Sequence, residues 1–187
     1  MLSRARIVAA AIDVLEAEGL EALTMRRLGK ELGVAAMSLY RYLPNRDAVL
    51  AAVVHELVTG VRPSAPPLEP WPAALTRFAT GFRRMLLEHP RAVPLLATHP
   101  VDADTGTALL GPVLERFGDA GVDQQDALVA VQSVVVYVLG HALAQVGSPT
   151  RPPPEPVVGA AGYYDLWFAA GLEAMVRGFS DVLAAAP

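Results

Sequence analysis

The sequence predicts an all-α protein built from a small N-terminal helical domain and a larger C-terminal one. Apolar residues recur at helical spacing along most of the 187 residues, and no segment alternates in the manner of a strand. Residues 62–72 are too rich in proline for a helix or a central strand and favour a stiff, extended connection. We therefore expect a first domain over residues 1–60, a linker over 61–72 and a second domain over 73–187.

Capping residues divide the first sixty residues into four helices, the first three of which make up a three-helix domain. The expected starts are Ser3, Thr24, Ala35 and Asn45. Ser, Thr and Asn side chains accept hydrogen bonds from the free amides of a first turn. Gly19 and Gly33 stand where the first two helices must end, because glycine readily adopts the left-handed conformation. Pro44 stops the third helix, which is expected over residues 35–43.

Five further helices are expected in the second domain. They cover residues 73–88, 91–97, 103–118, 123–146 and 161–185, with breaks at Pro90, Pro100, Gly121 and a proline-rich loop over 148–156. Residues 127–146 are nearly continuous in apolar side chains and long enough for a membrane span. Gln132 and His141 interrupt the segment, and Asp123 and Asp126 rather than cationic residues flank it. A helix buried in a bundle and a dimer interface explains the same pattern, so we expect no membrane association.

The overall composition indicates an additional buried surface. Hydrophobic residues make up 53% of the chain and charged residues only 18%, which points to a homodimer or other self-association. Cysteine is absent, which removes disulfides, thiol catalysis and zinc-thiolate sites. The first six residues lack the long apolar core of a signal peptide, and a cytoplasmic location is therefore expected.

The distribution of charge singles out one segment. The net charge of −4 would disfavour nucleic acid if it were spread evenly. Residues 24–46 nevertheless carry five cationic side chains and the single acid Glu31. A basic patch on an acidic protein fits a DNA-binding head on a body that has no contact with phosphate.

The same segment has the form of a helix-turn-helix, in which a supporting helix steadies a second helix that enters the major groove. Residues 24–34 read TMRRLGKELGV and residues 35–46 read AAMSLYRYLPNR. From Leu23 to Leu50 the run closely resembles the head of the tetracycline-repressor (TetR) family, which has the pattern LT-x-R-x-L-x-x-x-LGV followed by LY-x-[YH]-x-x-[NS]-[KR]-x-x-L. The resemblance implies a transcriptional repressor that binds a double-stranded DNA operator.

Individual positions of this motif have distinct expected roles on DNA. Arg26 can point its planar guanidinium at guanine, the commonest specific base contact. Small or apolar side chains open the reading helix and are expected to meet thymine methyl groups, and Ser38 can reach a base or a phosphate. The complete expected DNA-binding set is Thr24, Arg26, Ala35, Ala36, Met37, Ser38, Tyr40, Arg41, Tyr42 and Arg46. The last four are better placed for phosphate, although packing between helices explains Tyr42 equally well. Arg27 and Lys30 are expected on a solvated face of the helix and not in contact with DNA.

The C-terminal half also resembles the tetracycline repressor itself, through Trp71, residues 82–84, Thr98 and residues 171–179 among others. That likeness implies a four-helix dimer interface formed by helices 123–146 and 161–185 of two copies. It also implies an inducer site between the helices near residues 75–88, 95–100 and 105–145. Two copies would present two heads to a palindromic operator, about 34 Å apart along the DNA.

Departures from the tetracycline repressor indicate a different ligand. Leu95 stands where the resemblance places a metal-binding histidine, and Ala144 stands where it places a glutamate. Phe78 and Val113 replace an asparagine and a glutamine that contact the drug, and Thr98 alone is kept. Magnesium prefers oxygen ligands, so we expect neither a metal nor another cofactor.

The remaining pocket is expected to suit a largely apolar small molecule oriented by one or two hydrogen bonds. The expected ligand-binding set is Phe78, Phe82, Leu95, Thr98, His99, Pro100, Val113, Gln132, Val135 and Val136. His99 is the best histidine ligand, whereas His141 fits a core histidine with a hydrogen bond in its own helix or across the dimer. His55 and His89 are expected at the surface or between the domains.

Together these features predict a repressor that a small, largely apolar inducer releases from DNA. A tetracycline-responsive repressor and a DNA-binding co-regulator without a ligand are the alternatives. An enzyme is not expected, because the chain shows no Ser-His-Asp set, paired carboxylates, phosphate-binding loop or dinucleotide-binding glycine motif.

Overall fold

The computed structural model describes residues 1–61, 69–99, 101–147 and 160–184. These residues form nine α-helices, one 3-10 turn at Leu20–Ala22 and no strand, which confirms the all-α prediction. The helices are α1 (Arg4–Glu18), α2 (Met25–Leu32), α3 (Ala36–Leu39), α4 (Arg46–Gly60), α5 (Trp71–Glu88), α6 (Val93–Thr98), α7 (Ala103–Asp119), α8 (Gln124–Val146) and α9 (Ala160–Ala184).

The predicted capping residues begin and end the helices of residues 1–60, which are called the head below. The side chains of Ser3, Thr24 and Asn45 accept hydrogen bonds from backbone amides three residues further on, at 3.2, 3.1 and 2.8 Å. Gly33 ends α2 in the left-handed conformation, with φ of 66°. Gly19 follows α1 with φ of 89°. Local side-chain chemistry therefore sets these boundaries.

The reading helix is shorter than the sequence predicts. It was expected over residues 35–43, but α3 ends at Leu39 and residues 40–42 continue as tight turns. The amides of Tyr42 and Leu43 both donate to the carbonyl of Leu39, at 2.9 and 3.0 Å. Because Pro44 disfavours the helical conformation at the residue before it, the last turn tightens rather than extends.

Glycine at position 29 allows α2 and α3 to cross closely. A Cβ atom at Gly29 would lie 2.9 Å from the carbonyl oxygen of Val34 and 3.1 Å from the amide nitrogen of Ala36. Both neighbouring atoms belong to the backbone of the turn, so no side-chain rotation could relieve the clash. The spacing of the two helices therefore depends on this residue.

The helices α5 to α9, called the body below, pack around α5, which contacts α7, α8 and α9. This helix begins at Trp71 rather than at residue 73, with Pro72 in its first turn, where the missing amide hydrogen is no loss. The predicted linker and the loop over residues 148–156 fall largely outside the described residues. The buried apolar side chains of head and body form one continuous core, and α4 contacts α6 and α7.

Helix α8 is the one helix in the described part of the chain that is long and apolar enough to cross a membrane, with a mean hydropathy of 1.9. It contacts α5, α6, α7 and α9, and residues such as Ala130, Val131 and Val134 are fully buried. One side of the apolar run therefore packs inside the bundle, whereas Val129 and Val136 of the same helix stay exposed.

Candidate DNA-binding surface and ligand cavity

Several predicted DNA-binding side chains lie exposed at the start of α2 and along α3. Arg26 is exposed and forms no ion pair with the described residues. Met37 is 75% exposed and Tyr40 is 41% exposed, although both are large and partly apolar. Ala35 is exposed as well, whereas Ala36 and Ser38 are half-buried. Exposed apolar side chains next to a cation suit contact with the base edges of DNA.

Arg27 connects two helices of the head instead of pointing freely into solvent. Its guanidinium pairs with Glu18 on α1 at 2.6 Å and with Glu31 on α2 at 2.7 Å. Hydrogen bonding to Glu18 raises the pKa of Arg27, and the same bond lowers the pKa of Glu18. These groups are exposed, so the pair steadies the orientation of the helices more than it stabilises the fold.

Two residues expected at phosphate have partners inside the head. Arg46 donates from Nε to the carbonyl of Leu23 at 2.7 Å and from a terminal nitrogen to the carbonyl of Leu20 at 2.9 Å. The hydroxyl of Tyr42 donates to the carbonyl of Leu2 at 3.1 Å. The two carbonyls that accept from Arg46 belong to the first residue of the 3-10 turn and to the residue that follows this turn, which the sequence did not predict.

A cavity of about 640 Å³ lies where α4, α5, α6, α7 and α8 meet. Its apolar wall consists of Val58, Phe82, Leu96, Val101, Leu109, Leu110, Leu114, Leu128, Val135 and Leu139, together with the small residues Ala103 and Gly106. Its polar side chains are His99, Asp102, Thr107, Gln124 and Gln132. A large apolar surface with a few polar groups is typical of a small-molecule site.

Four of the residues predicted from the sequence line this cavity: Phe82, His99, Gln132 and Val135. Three others are buried in the core beside it, and of these Phe78 stacks on Phe82 with a ring separation of 5.9 Å. The other two are Leu95 and Val113.

Of the last three predicted ligand residues, Thr98 and Val136 do not line the cavity. Thr98 is exposed, and its hydroxyl donates to the carbonyl of Pro94 within α6 at 2.8 Å. Val136 is 67% exposed on α8 and is not among the side chains of the wall. Pro100 lies outside the described residues.

Comparison with known families decides which one this chain belongs to. Residues 7–53 match the family model "Bacterial regulatory proteins, tetR family", and residues 63–157 match "Tetracyclin repressor-like, C-terminal domain". The chain belongs to the tetR family. Members of this family are transcriptional regulators and not enzymes. Both halves of the resemblance predicted from the sequence are thereby confirmed.

Curated relatives and solved structures agree with this assignment. An HTH-type transcriptional regulator of Saccharopolyspora erythraea is 31% identical over 78% of this chain and 61% of its own length. Tetracycline repressor protein class G of Vibrio anguillarum is 30% identical over 79% of this chain and 70% of its own. Among solved structures, this chain matches ActR, a TetR family protein of Streptomyces coelicolor, in complex with (S)-DNPA. The two sequences are 27% identical, and the match covers 96% of this chain and 98% of the ActR chain with a TM-score of 0.79. The chain thus spans about 61% of the Saccharopolyspora relative.

Sequence reasoning missed a polar cluster of this tetR family chain beside the cavity, which one of its members, Asp102, lines. Asp102 caps α7 and accepts from the amide of Thr105 at 2.9 Å and from its hydroxyl at 2.6 Å. Those bonds lower the pKa of the Asp102 carboxyl. His55, on α4 of the head, places Nδ1 2.7 Å from the same hydroxyl. The Asp-x-x-Thr spacing is a helix-start signal, but a partner fifty residues away leaves no local pattern.

His141 lies between α8 and α9, away from the cavity wall. It is only 3% exposed, and aromatic rings surround it: Trp167 at 4.8 Å, Phe168 at 5.3 Å and Tyr164 at 5.8 Å. Burial, together with the nearby Arg83, lowers its pKa. Neither ring nitrogen makes a hydrogen bond of standard geometry with the described residues, so the partner expected for this core histidine is missing from its own helix.

Helices α8 and α9 leave a set of large apolar side chains exposed. It consists of Leu128, Val129, Val136, Leu143, Tyr163, Leu166, Trp167 and Val182. These are the two helices that the sequence assigns to a dimer interface. Across the described residues, α8 and α9 included, no group of three or more His, Asp or Glu side chains is arranged to hold a metal ion.

Proposed function

We propose that this chain is a DNA-binding transcriptional repressor that leaves its operator when a small, largely apolar molecule occupies the cavity. The observation that carries the proposal is the position of that cavity. Val58 of α4, the helix that follows the reading helix, forms part of its wall. A molecule bound there touches the element that carries the head, and it can weaken DNA binding by favouring a different position of that element.

The proposed DNA contacts are those that the sequence suggests, with one change of emphasis. Arg26 supplies base recognition, and the exposed side chains of α3, Met37 above all, approach thymine methyl groups. Thr24, Ala35, Ala36, Ser38, Tyr40 and Arg41 complete the set. Arg46 and Tyr42 have intramolecular partners, so we assign them to holding the head together.

The proposed ligand is a molecule with a broad apolar surface and few polar groups. Phe82, Leu110 and Val135 offer apolar contact, and His99 and Gln132 can each orient one polar atom. The ActR relative was solved with (S)-DNPA, and another relative carries the name of a tetracycline repressor. A tetracycline–magnesium chelate is the second candidate, favoured by that relative and disfavoured by Leu95 at the position of the metal-binding histidine.

We further propose that the working form is a cytoplasmic homodimer built on the exposed apolar side chains of α8 and α9. Val136 and Leu166, 67% and 73% exposed, would be covered by a second copy. Two heads then read the two halves of a palindromic operator. Val136→Glu should shift sedimentation from dimer to monomer, whereas Met37→Glu, an equally drastic change in the head, should leave the dimer intact.

Selection of duplex DNA from a random pool tests the first half of the proposal. The full chain should enrich a palindromic sequence, and failure to enrich any sequence removes the DNA-binding function.

The second half of the proposal, release by a ligand, is tested on the selected duplex by fluorescence anisotropy with (S)-DNPA and with tetracycline plus magnesium. Release by (S)-DNPA alone supports a cavity that accepts the molecule bound to ActR, and release by the chelate alone supports the second candidate. If the chain binds DNA equally tightly with and without a molecule that is shown to occupy the cavity, the proposal that this molecule releases the repressor is wrong.

A further inference from the structure

We propose that His55, Thr105 and Asp102 form the hydrogen-bonded junction that transmits a change at the cavity to the DNA-binding head. This inference deepens the proposed function and rests on it. The three side chains connect α4 of the head to the first turn of α7 in the body. Thr105 is one of only two polar residues that are fully buried in the described part of the chain.

The chemistry of the three groups fixes the direction of each hydrogen bond. An ionised carboxylate can only accept, so the Thr105 hydroxyl donates its single proton to Oδ2 of Asp102, at 2.6 Å. The Thr105 oxygen must then accept from Nδ1 of His55, at 2.7 Å. The junction therefore selects the imidazole form that carries a proton on Nδ1, and its three members cannot be rearranged independently.

One member of the junction, Asp102, lines the cavity. Thr105 is buried in the first turn of α7, and its neighbours Ala103 and Gly106 line the cavity as well. Val58 lines it from α4, less than one helical turn beyond His55. A molecule that pushes the first turn of α7 outward must stretch the bond between Thr105 and His55 or move α4 with it.

A second polar contact joins the head to the body through residues outside the cavity wall. The backbone amide of Arg91 donates to Glu16 at 3.4 Å, and the Arg91 guanidinium donates to the carbonyl of Ala17, both at the end of α1. None of these residues lines the cavity. With α1 held at this contact, displacement at Thr105 tilts α4 instead of shifting the whole head.

Reciprocity of coupling supplies a test that requires no ligand, because DNA bound to the head must affect the first turn of α7 if that turn affects the head. Hydrogen–deuterium exchange is measured on the full chain with and without the duplex selected from random DNA. In the wild type, the duplex should slow exchange of residues 103–108 by about fivefold or more, the lower end of usual coupling.

Thr105→Val removes the hydroxyl and keeps the branched shape, so the slowing in α7 should disappear while the head still binds the duplex. Thr105→Ser restores the hydroxyl and should restore the slowing. Thr59→Val is the matched control on α4, since that hydroxyl bonds only to carbonyls of its own helix, and it should behave as the wild type. His55→Leu, at a half-exposed position, repeats the test from the other side should Thr105→Val fail to fold.

Slowing in α7 that survives Thr105→Val or His55→Leu overturns the inference, as does a wild type whose α7 does not respond to the duplex. In either case the DNA-binding proposal stands, because the duplex is bound. If no duplex can be selected, the proposed function fails and the inference falls with it.

Discussion

The guanidinium of Arg46 donates to the carbonyl of Leu23 across the head, at 2.7 Å. A second nitrogen reaches the carbonyl of Leu20 at 2.9 Å. The start of α4 is thereby bound to the 3-10 turn that precedes α2. A residue expected from the sequence to contact phosphate thus holds the geometry of the helix-turn-helix from within.

Arg46→Lys should therefore lower the stability of the head. Lysine keeps the charge that a phosphate contact would need, but its single ammonium group lacks the rigid planar guanidinium that places two separate nitrogens on the two carbonyls. We expect a loss of about 1–3 kcal/mol in the free energy of unfolding, measured by urea denaturation. Arg41→Lys, at an exposed position, is the matched control and should change stability by less than about 0.5 kcal/mol.

The salt dependence of DNA binding separates the two roles of Arg46. Loss of one phosphate contact lowers the slope of log K against log salt by about 1. Arg46→Lys should leave this slope unchanged, as should the more severe Arg46→Leu. A reduced slope in Arg46→Leu with wild-type stability would identify a phosphate contact instead.

Arg26→Ala should relax base preference as well as weaken binding. An exposed guanidinium at the start of α2 is free to form a bidentate contact with guanine, worth about 1–3 kcal/mol of discrimination. Anisotropy titrations against the selected duplex and its single-base variants measure the effect. Lys30→Ala, later on the same helix, should leave discrimination intact. A uniform loss across all duplexes would make Arg26 a phosphate contact.

Gly29→Ala should destabilise the head by about 1–3 kcal/mol, because the added methyl group would overlap the backbone of the turn, 2.9 Å from Val34 O. Gly118→Ala in α7 is the control, since nothing lies within 4 Å of its Cβ position, and it should stabilise by about 0.4–1 kcal/mol. Thermal unfolding followed by circular dichroism compares the two. Equal behaviour of both variants would refute the proposed close contact.

Protonation of His141 should reduce stability at acidic pH. Its pKa is lower in the folded protein than the ordinary value of about 6.5 in the unfolded chain, chiefly because it is buried. The unfolded state therefore takes up the proton first, and stability is lost as the pH falls from about 6.5 to the folded pKa. One proton limits the slope to about 1.4 kcal/mol per pH unit.

The variant His141→Phe isolates this contribution from the other titrating groups. Between pH 7 and 5 the free energy of unfolding of the variant should fall less steeply than that of the wild type. The neighbouring Arg83 disfavours the imidazolium and Asp165 favours it. If the free energy of unfolding falls equally steeply with pH in the variant and the wild type, His141 has the same pKa in the folded and unfolded states.

The sequence by itself determined the helical fold, the family and most helix boundaries of the head. These features depend on local chemistry: Ser3, Thr24 and Asn45 accept from amides only three residues away, and Gly33 ends α2 through its own backbone. Four residues of the cavity wall were also predicted from the resemblance, because the helix order that it implies brings Phe82, His99, Gln132 and Val135 together.

Only the tertiary structure decided which polar side chains have partners far along the chain. Arg46 pairs with carbonyls more than twenty residues away, and His55 meets Thr105 fifty residues later. Such bonds depend on the angle and depth at which helices pack, and residue periodicity carries no record of either. The observed position of Val136 differs from the predicted one for the same reason. Its spacing fits a pocket wall, but the packing of α8 turns its side chain outward.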